Sequence, residues 1–81
     1  MTVRVQFFSH LRDVIGTSES EAHLAEGASV ADLLTMLYGE HPKLRDWDSS
    51  ILIGAGVEFV ERDYLLIDGE EIAIMPPVQG R

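Results

Sequence analysis

The residues best placed to do chemistry close the chain: Met75-Pro76-Pro77-Val78-Gln79-Gly80-Arg81, an alternating segment that runs into two prolines, a glycine and a carboxylate. None of these side chains is a nucleophile or a general base. The chemistry they allow is that of the carboxylate itself, offered on a narrow, proline-stiffened tail. Competing sites are weak. The chain has 0 cysteines, which excludes a thiol nucleophile, a cysteine-bound metal and a disulfide framework. His10, His23 and His41 are separated by 13 and 18 residues, with no i, i+4 pair to hold a metal, and are expected on the surface. Gly54 and Gly56 lack the Lys-Ser/Thr pair and following helix of a phosphate loop, so a hairpin is the better reading. Glu70-Glu71 has no pocket for acid-base work, and Trp47 reads as a core or loop anchor rather than a platform for a base.

These residues must be positioned by one small domain. Eighty-one residues bury a modest core and leave no room for a large cleft, while 46% hydrophobic residues suffice to fold. The expected division is a folded domain over residues 1–75 and an extended tail over residues 76–81. The net charge of −8, from 14 acidic and 6 basic residues, opposes binding to nucleic acid or anionic membrane. Clustered acids at Glu58, Glu61, Asp63, Asp68, Glu70 and Glu71 form either a solvated face or a field that steers basic partners. No signal-peptide pattern opens the chain and no apolar run reaches membrane-spanning length, so a cytoplasmic location is expected.

Residues 2–8 alternate, with Val3, Val5 and Phe7 on one side, which predicts a half-buried strand. Ser9 is placed to cap a short helix carrying Leu11, Val14 and Ile15, ended by Gly16. Residues 19–25 alternate again, and Glu26-Gly27 closes that strand. The clearest helix begins at the cap Ser29 with Asp32 three residues on, carries Val30, Leu33, Leu34 and Leu37 on one stripe, and is expected to stop at Tyr38-Gly39 and Pro42. Residues 43–50 read as a connection in which Leu44 and Trp47 fold onto the core. Gly56-Val57 then suits a type II′ turn between strands at 51–55 and 58–60, Asp68-Gly69 marks a further turn, and residues 71–75 form a last strand with Ile72 and Ile74 buried. One mixed sheet around one principal helix, with an additional short helix, is the economical α+β packing. Ala73 and Met75 then face outward and, with Phe8, form an apolar patch for docking.

The element order, the opening Val3-Arg4-Val5-Gln6-Phe7-Phe8, the stretch Leu66-Ile67-Asp68-Gly69-Glu70-Glu71-Ile72-Ala73 and the ending Pro76-Pro77-Val78-Gln79-Gly80 resemble the MoaD family, which shares a ubiquitin-like superfamily with ThiS. The resemblance covers essentially the whole chain. It implies a β-grasp fold and a sulfur carrier of molybdopterin biosynthesis that has no catalytic side chain and binds no cofactor of its own. Its C-terminal carboxylate would be adenylated with ATP by an activating enzyme (MoeB-like) and converted to a thiocarboxylate. The large molybdopterin synthase subunit (MoaE-like) would then use that sulfur on a pterin precursor, within a heterotetramer. Phe8, Met75, Pro76, Pro77, Val78 and Gln79 would contact these partners, and Gly80 or Arg81 would carry the sulfur.

Physical chemistry suits that role. The mixed anhydride with AMP has a leaving group that a carboxylate lacks, so sulfide or persulfide can displace it. A tail of residues 76–81 reaches at most about 20 Å; its prolines reduce the entropy lost on insertion, and Gly80 lets partner walls approach. The departure is Arg81, where the family ends in Gly-Gly. Three explanations stand open: a protease exposes Gly80, the partners accept arginine, or the end is altered. The other functional readings are a carrier for thiamine, amino-acid or tRNA thiolation, and a ubiquitin-like adaptor without terminal chemistry.

Overall fold

Strand β1 (Thr2–Phe7) buries Val3, Val5 and Phe7 and turns Arg4 to solvent, so the alternation read from the sequence sets which side of the sheet is wet. The computed structural model describes residues 1–77. Helix α1 (His10–Ile15) follows, then β2 (Glu19–His23), α2 (Val30–Glu40), a 3-10 helix at Pro42–Trp47, β3 (Leu52–Ala55), β4 (Glu58–Phe59) and β5 (Glu71–Met75). The five strands form one mixed sheet in the order β2-β1-β5-β3-β4. β1 and β5 run parallel at its centre, and every other pair is antiparallel. The parallel pair needs a long crossover, and all the intervening helices and strands lie within it.

One side of this sheet carries the core. Val5 pairs with Ile72, Phe7 with Ile74 and Ile74 with Ile53, and these pack with the α2 stripe Val30, Leu33, Leu34 and Leu37. The α2 cap is the one expected. Ser29 Oγ accepts the Asp32 N–H at 3.3 Å while the Asp32 carboxylate accepts the Ser29 N–H at 2.9 Å, a closed capping box. The fold is therefore α+β, a mixed sheet on one main helix with an additional short helix.

Four local expectations are corrected. Ser9 does not cap α1 through its side chain: it sits at φ 53 and ψ −129, and Phe8 C=O accepts the Leu11 N–H at 3.1 Å. Ser9 is thus the first corner of a tight turn of type II′ geometry, a role that glycine fills without strain. Helix α2 runs through Tyr38-Gly39 and ends at Glu40 with His41 as its C-cap, so of the two expected stop signals it is Pro42 that acts, holding His41 out of helical conformation. The connection 43–50 contains the 3-10 helix begun by Pro42, with Leu44 fully buried and Trp47 packed on the core as expected. β2 ends at His23 rather than at residue 25: the paired register closes at Thr2–His23, followed by a single further bond in which Met1 C=O accepts the Leu24 N–H at 2.8 Å. The hairpin at Gly56-Val57 is found: Gly56 has φ 65 while Val57 does not turn positive, which fits type II′ and excludes type I′.

Candidate functional site: an apolar groove at the root of the tail

Because β5 alternates, burying Ile72 and Ile74 leaves Ala73 and Met75 on the outer side of the sheet. Register decides their neighbours: Ala73 pairs with Gly54, Gly54 with Phe59, and Met75 with Leu52. Phe8 arrives from the other flank, where its N–H donates to Ile74 C=O at 3.1 Å just past the end of β1. Together Phe8, Gly54, Val57, Phe59, Ala73 and Met75 line a shallow apolar groove of about 270 Å³. Its rim is unusually exposed for large apolar side chains: Phe8 is 43%, Phe59 68% and Val57 102% accessible. An exposed apolar patch of this kind is a candidate for partner contact. Pro76 and Pro77 follow Met75 directly and are half-buried, so the chain leaves the sheet at the groove's edge.

The expected contact residues Phe8, Met75, Pro76 and Pro77 are therefore gathered in one place. Val78, Gln79, Gly80 and Arg81 lie outside the described residues. Sequence reasoning missed Gly54, Val57 and Phe59. The β3–β4 hairpin sets Phe59 opposite Gly54 locally, but only the β3–β5 register, which joins segments distant in the chain, carries both beside Ala73 and Met75.

At the other end of β5 lies a second concavity of about 270 Å³, lined by Thr2, Arg4, Glu21, Asp68, Gly69 and Glu71. Arg4 reaches Glu19 at 3.9 Å and Glu71 at 3.8 Å, loose surface pairs that partly neutralise the acids around them. The Thr2 N–H donates to Asp68 Oδ1 at 2.8 Å, and Glu70 accepts the Tyr64 hydroxyl at 2.5 Å and the Ile67 N–H at 2.9 Å. The hydrogen bond to Glu70 raises the Tyr64 pKa. A further polar cluster ties the back of the fold: Asp48 Oδ1 accepts from Tyr38 at 2.5 Å and from Arg62 at 2.8 Å. Burial, reinforced by Asp48, pushes Tyr38 from 10.0 to about 12, while Arg62 and then Tyr38 hold the Asp48 carboxyl below its usual range.

The histidines stay apart. His10 meets Trp47 edge-on at 5.4 Å, His41 meets Phe7 at 6.3 Å, and His23 Nδ1 lies 3.1 Å from Thr2 Oγ1. Among the described residues no cluster of three His, Asp or Glu is placed to hold a metal ion, and no helix is long and apolar enough to cross a membrane.

The sheet order, the single packed helix and the strand that leads out of the sheet beside an exposed apolar groove define a ubiquitin-like β-grasp protein. Its likeness to solved structures agrees: SAMP1 of Haloferax volcanii superposes with a TM-score of 0.87 at 27% identity, over 100% of both chains. The ThiS family model matches residues 5–80, and the chain belongs to the ThiS/MoaD family. It is 33% identical over 82 residues to a molybdopterin synthase sulfur carrier subunit of Chlamydomonas reinhardtii, covering 99% of each. To the protein of that name in Escherichia coli it is 30% identical over 80 residues, 96% of this chain and 98% of the other.

Proposed function

We propose that this protein is the sulfur carrier subunit of a molybdopterin synthase. The observation that carries the reading is the exit of β5 at the apolar groove, which presents Pro76, Pro77 and the residues beyond them next to a docking surface. Relatives similar over their full lengths bear that name. In this mechanism an activating enzyme binds the groove and transfers AMP from ATP to the terminal carboxylate of Gly80 or Arg81, releasing pyrophosphate. A sulfide sulfur then attacks the acyl carbon; the C–S bond forms, the C–O bond to AMP breaks, and AMP leaves, whereas a persulfide donor gives an acyl disulfide whose S–S bond a second thiol must break, forming a disulfide with the donor sulfur and releasing the thiocarboxylate. The thiocarboxylate is carried to the large synthase subunit, which binds the same groove and receives the tail, two copies of each subunit forming the heterotetramer. The protein contributes no acid or base. It supplies reach, orientation and a shared contact surface in which Met75 is an adaptable element.

The experiment is an intact-mass measurement after incubation with ATP, a sulfur source and an activating enzyme, on chains ending at Arg81 and at Gly80. Exchange of one oxygen for sulfur adds about 16 Da, and unchanged mass in both chains removes the reading. A second reading, a ubiquitin-like modifier, is favoured by the likeness to SAMP1, the small archaeal modifier protein. Copurification with a large synthase subunit, rather than covalent attachment to other proteins, separates the two.

A further inference from the structure

Gly54 lies inside β3, between β5 and β4, where glycine weakens a strand and adds no packing. Its backbone does not require glycine, since φ is not positive. The reason lies above it. A Cβ at position 54 would stand 3.2 Å from Met75 Cε, 3.7 Å from Ala73 Cβ and 3.7 Å from the Glu58 carbonyl oxygen. Met75 is paired through its backbone to Leu52, and its side chain reaches back along the outer face to lay its methyl group over the bare Gly54. The residue at the root of the tail is thus seated where the neighbouring strand has no side chain.

We infer that Gly54 is a positioning residue for partner docking: by giving Met75 a flat seat it keeps the groove concave, shaped to take a bulky apolar side chain of the large synthase subunit. The inference deepens the proposed function and rests on it. A side chain at position 54 displaces the Met75 methyl from its seat, so the raised Met75 closes the groove while the fold persists. The effect acts through Met75, and so it disappears when Met75 is shortened.

The test has two arms, both on the full chain. In the free protein, labelled methionine methyls report the seat directly, and with 3 methionines the spectrum is readily assigned. A contact between Met75 Cε and Gly54 Hα is expected, together with a shift of that methyl in Gly54→Ala; no contact overturns the seat whatever the protein does. In the second arm, affinity for the large synthase subunit is measured for Gly54→Val, Met75→Ala and the double variant. Gly54→Val is expected to weaken binding about tenfold and the double variant to bind no worse than Met75→Ala alone. Losses that simply multiply overturn the positioning role. If Gly54→Val fails to fold, Gly54→Ala, whose added Cβ asks Met75 to move only slightly, takes its place in the same cycle. If the unaltered chain shows no binding, the functional reading falls and this inference with it, while the methyl contact still reports whether the seat exists.

Discussion

The two ends of β5 carry concavities of equal volume, about 270 Å³, and opposite chemistry. At the Glu71 end the lining is charged, and neighbouring backbone is tied: Thr2 C=O accepts the Gly69 N–H at 2.7 Å and Glu70 C=O accepts the Arg4 N–H at 2.9 Å. At the Met75 end Phe8, Val57 and Phe59 stand in solvent. The backbone ladder holds both ends of the strand, but its start is fastened by polar side chains as well, whereas the outer face around its finish is displayed. Polar contacts on the fastened end satisfy groups within the chain; the apolar surface on the displayed end gains most when something else covers it.

Alternate residues of the same strand give the sharpest separation. Ile74, fully buried, should lose about 3 kcal/mol of stability on Ile74→Ala, whereas Met75→Ala should leave the denaturant midpoint nearly unchanged. A comparable loss from Met75→Ala would break the distinction between packed and displayed faces. Next in size, Phe59→Asp should weaken binding to the large synthase subunit by about 30-fold without lowering Tm, measured by titration calorimetry alongside a melt. Unchanged affinity would strip the groove of its docking role.

At the fastened end, Glu70→Gln should lower Tm by roughly 2–5 °C while leaving partner affinity as it was, because Glu70 holds the Tyr64 hydroxyl and the Ile67 N–H far from the tail. A fall in affinity as large as that of Phe59→Asp would show that the two ends are not independent. The smallest effect is in pH. Asp48 has a lowered pKa in the fold, so its contribution is present above the ordinary carboxylate range and lost as pH falls through the folded value. Tyr38 is raised from 10.0 to about 12, so its contribution is complete below 10.0 and lost as pH rises through about 12. Denaturation across pH should show a plateau between these limits, and Asp48→Asn should flatten its acid limb.

Much of this was legible in the sequence where the determinants are local. The Ser29-Asp32 box, the leucine stripe of α2, the Gly56 turn and the alternation of β1 and β5 each depend on residues a few positions apart, and each is found. Ser9 misled because a serine before a helix has two uses, and only the φ of 53 shows that the turn corner prevailed over the cap. Half of the groove was legible. Phe8 and Met75 followed from alternation on β1 and β5; Phe59 faces Gly54 through the local hairpin, but the β3–β5 pairing that brings both to the groove is encoded by no local pattern. The sequence assigns Gly56 to the turn and Gly54 to the strand before it, but gives no reason for a glycine at 54, which is set by the Met75 methyl lying above it.

A sulfur carrier uses the displayed end to present the carboxylate beyond it. The most direct test of that role is the intact mass of the chain, ending at Gly80 or at Arg81, after ATP, a sulfur source and an activating enzyme. A gain of about 16 Da on at least one of them is expected, mapped to the terminal peptide. No gain on either chain, with the enzyme active on another carrier, would contradict it.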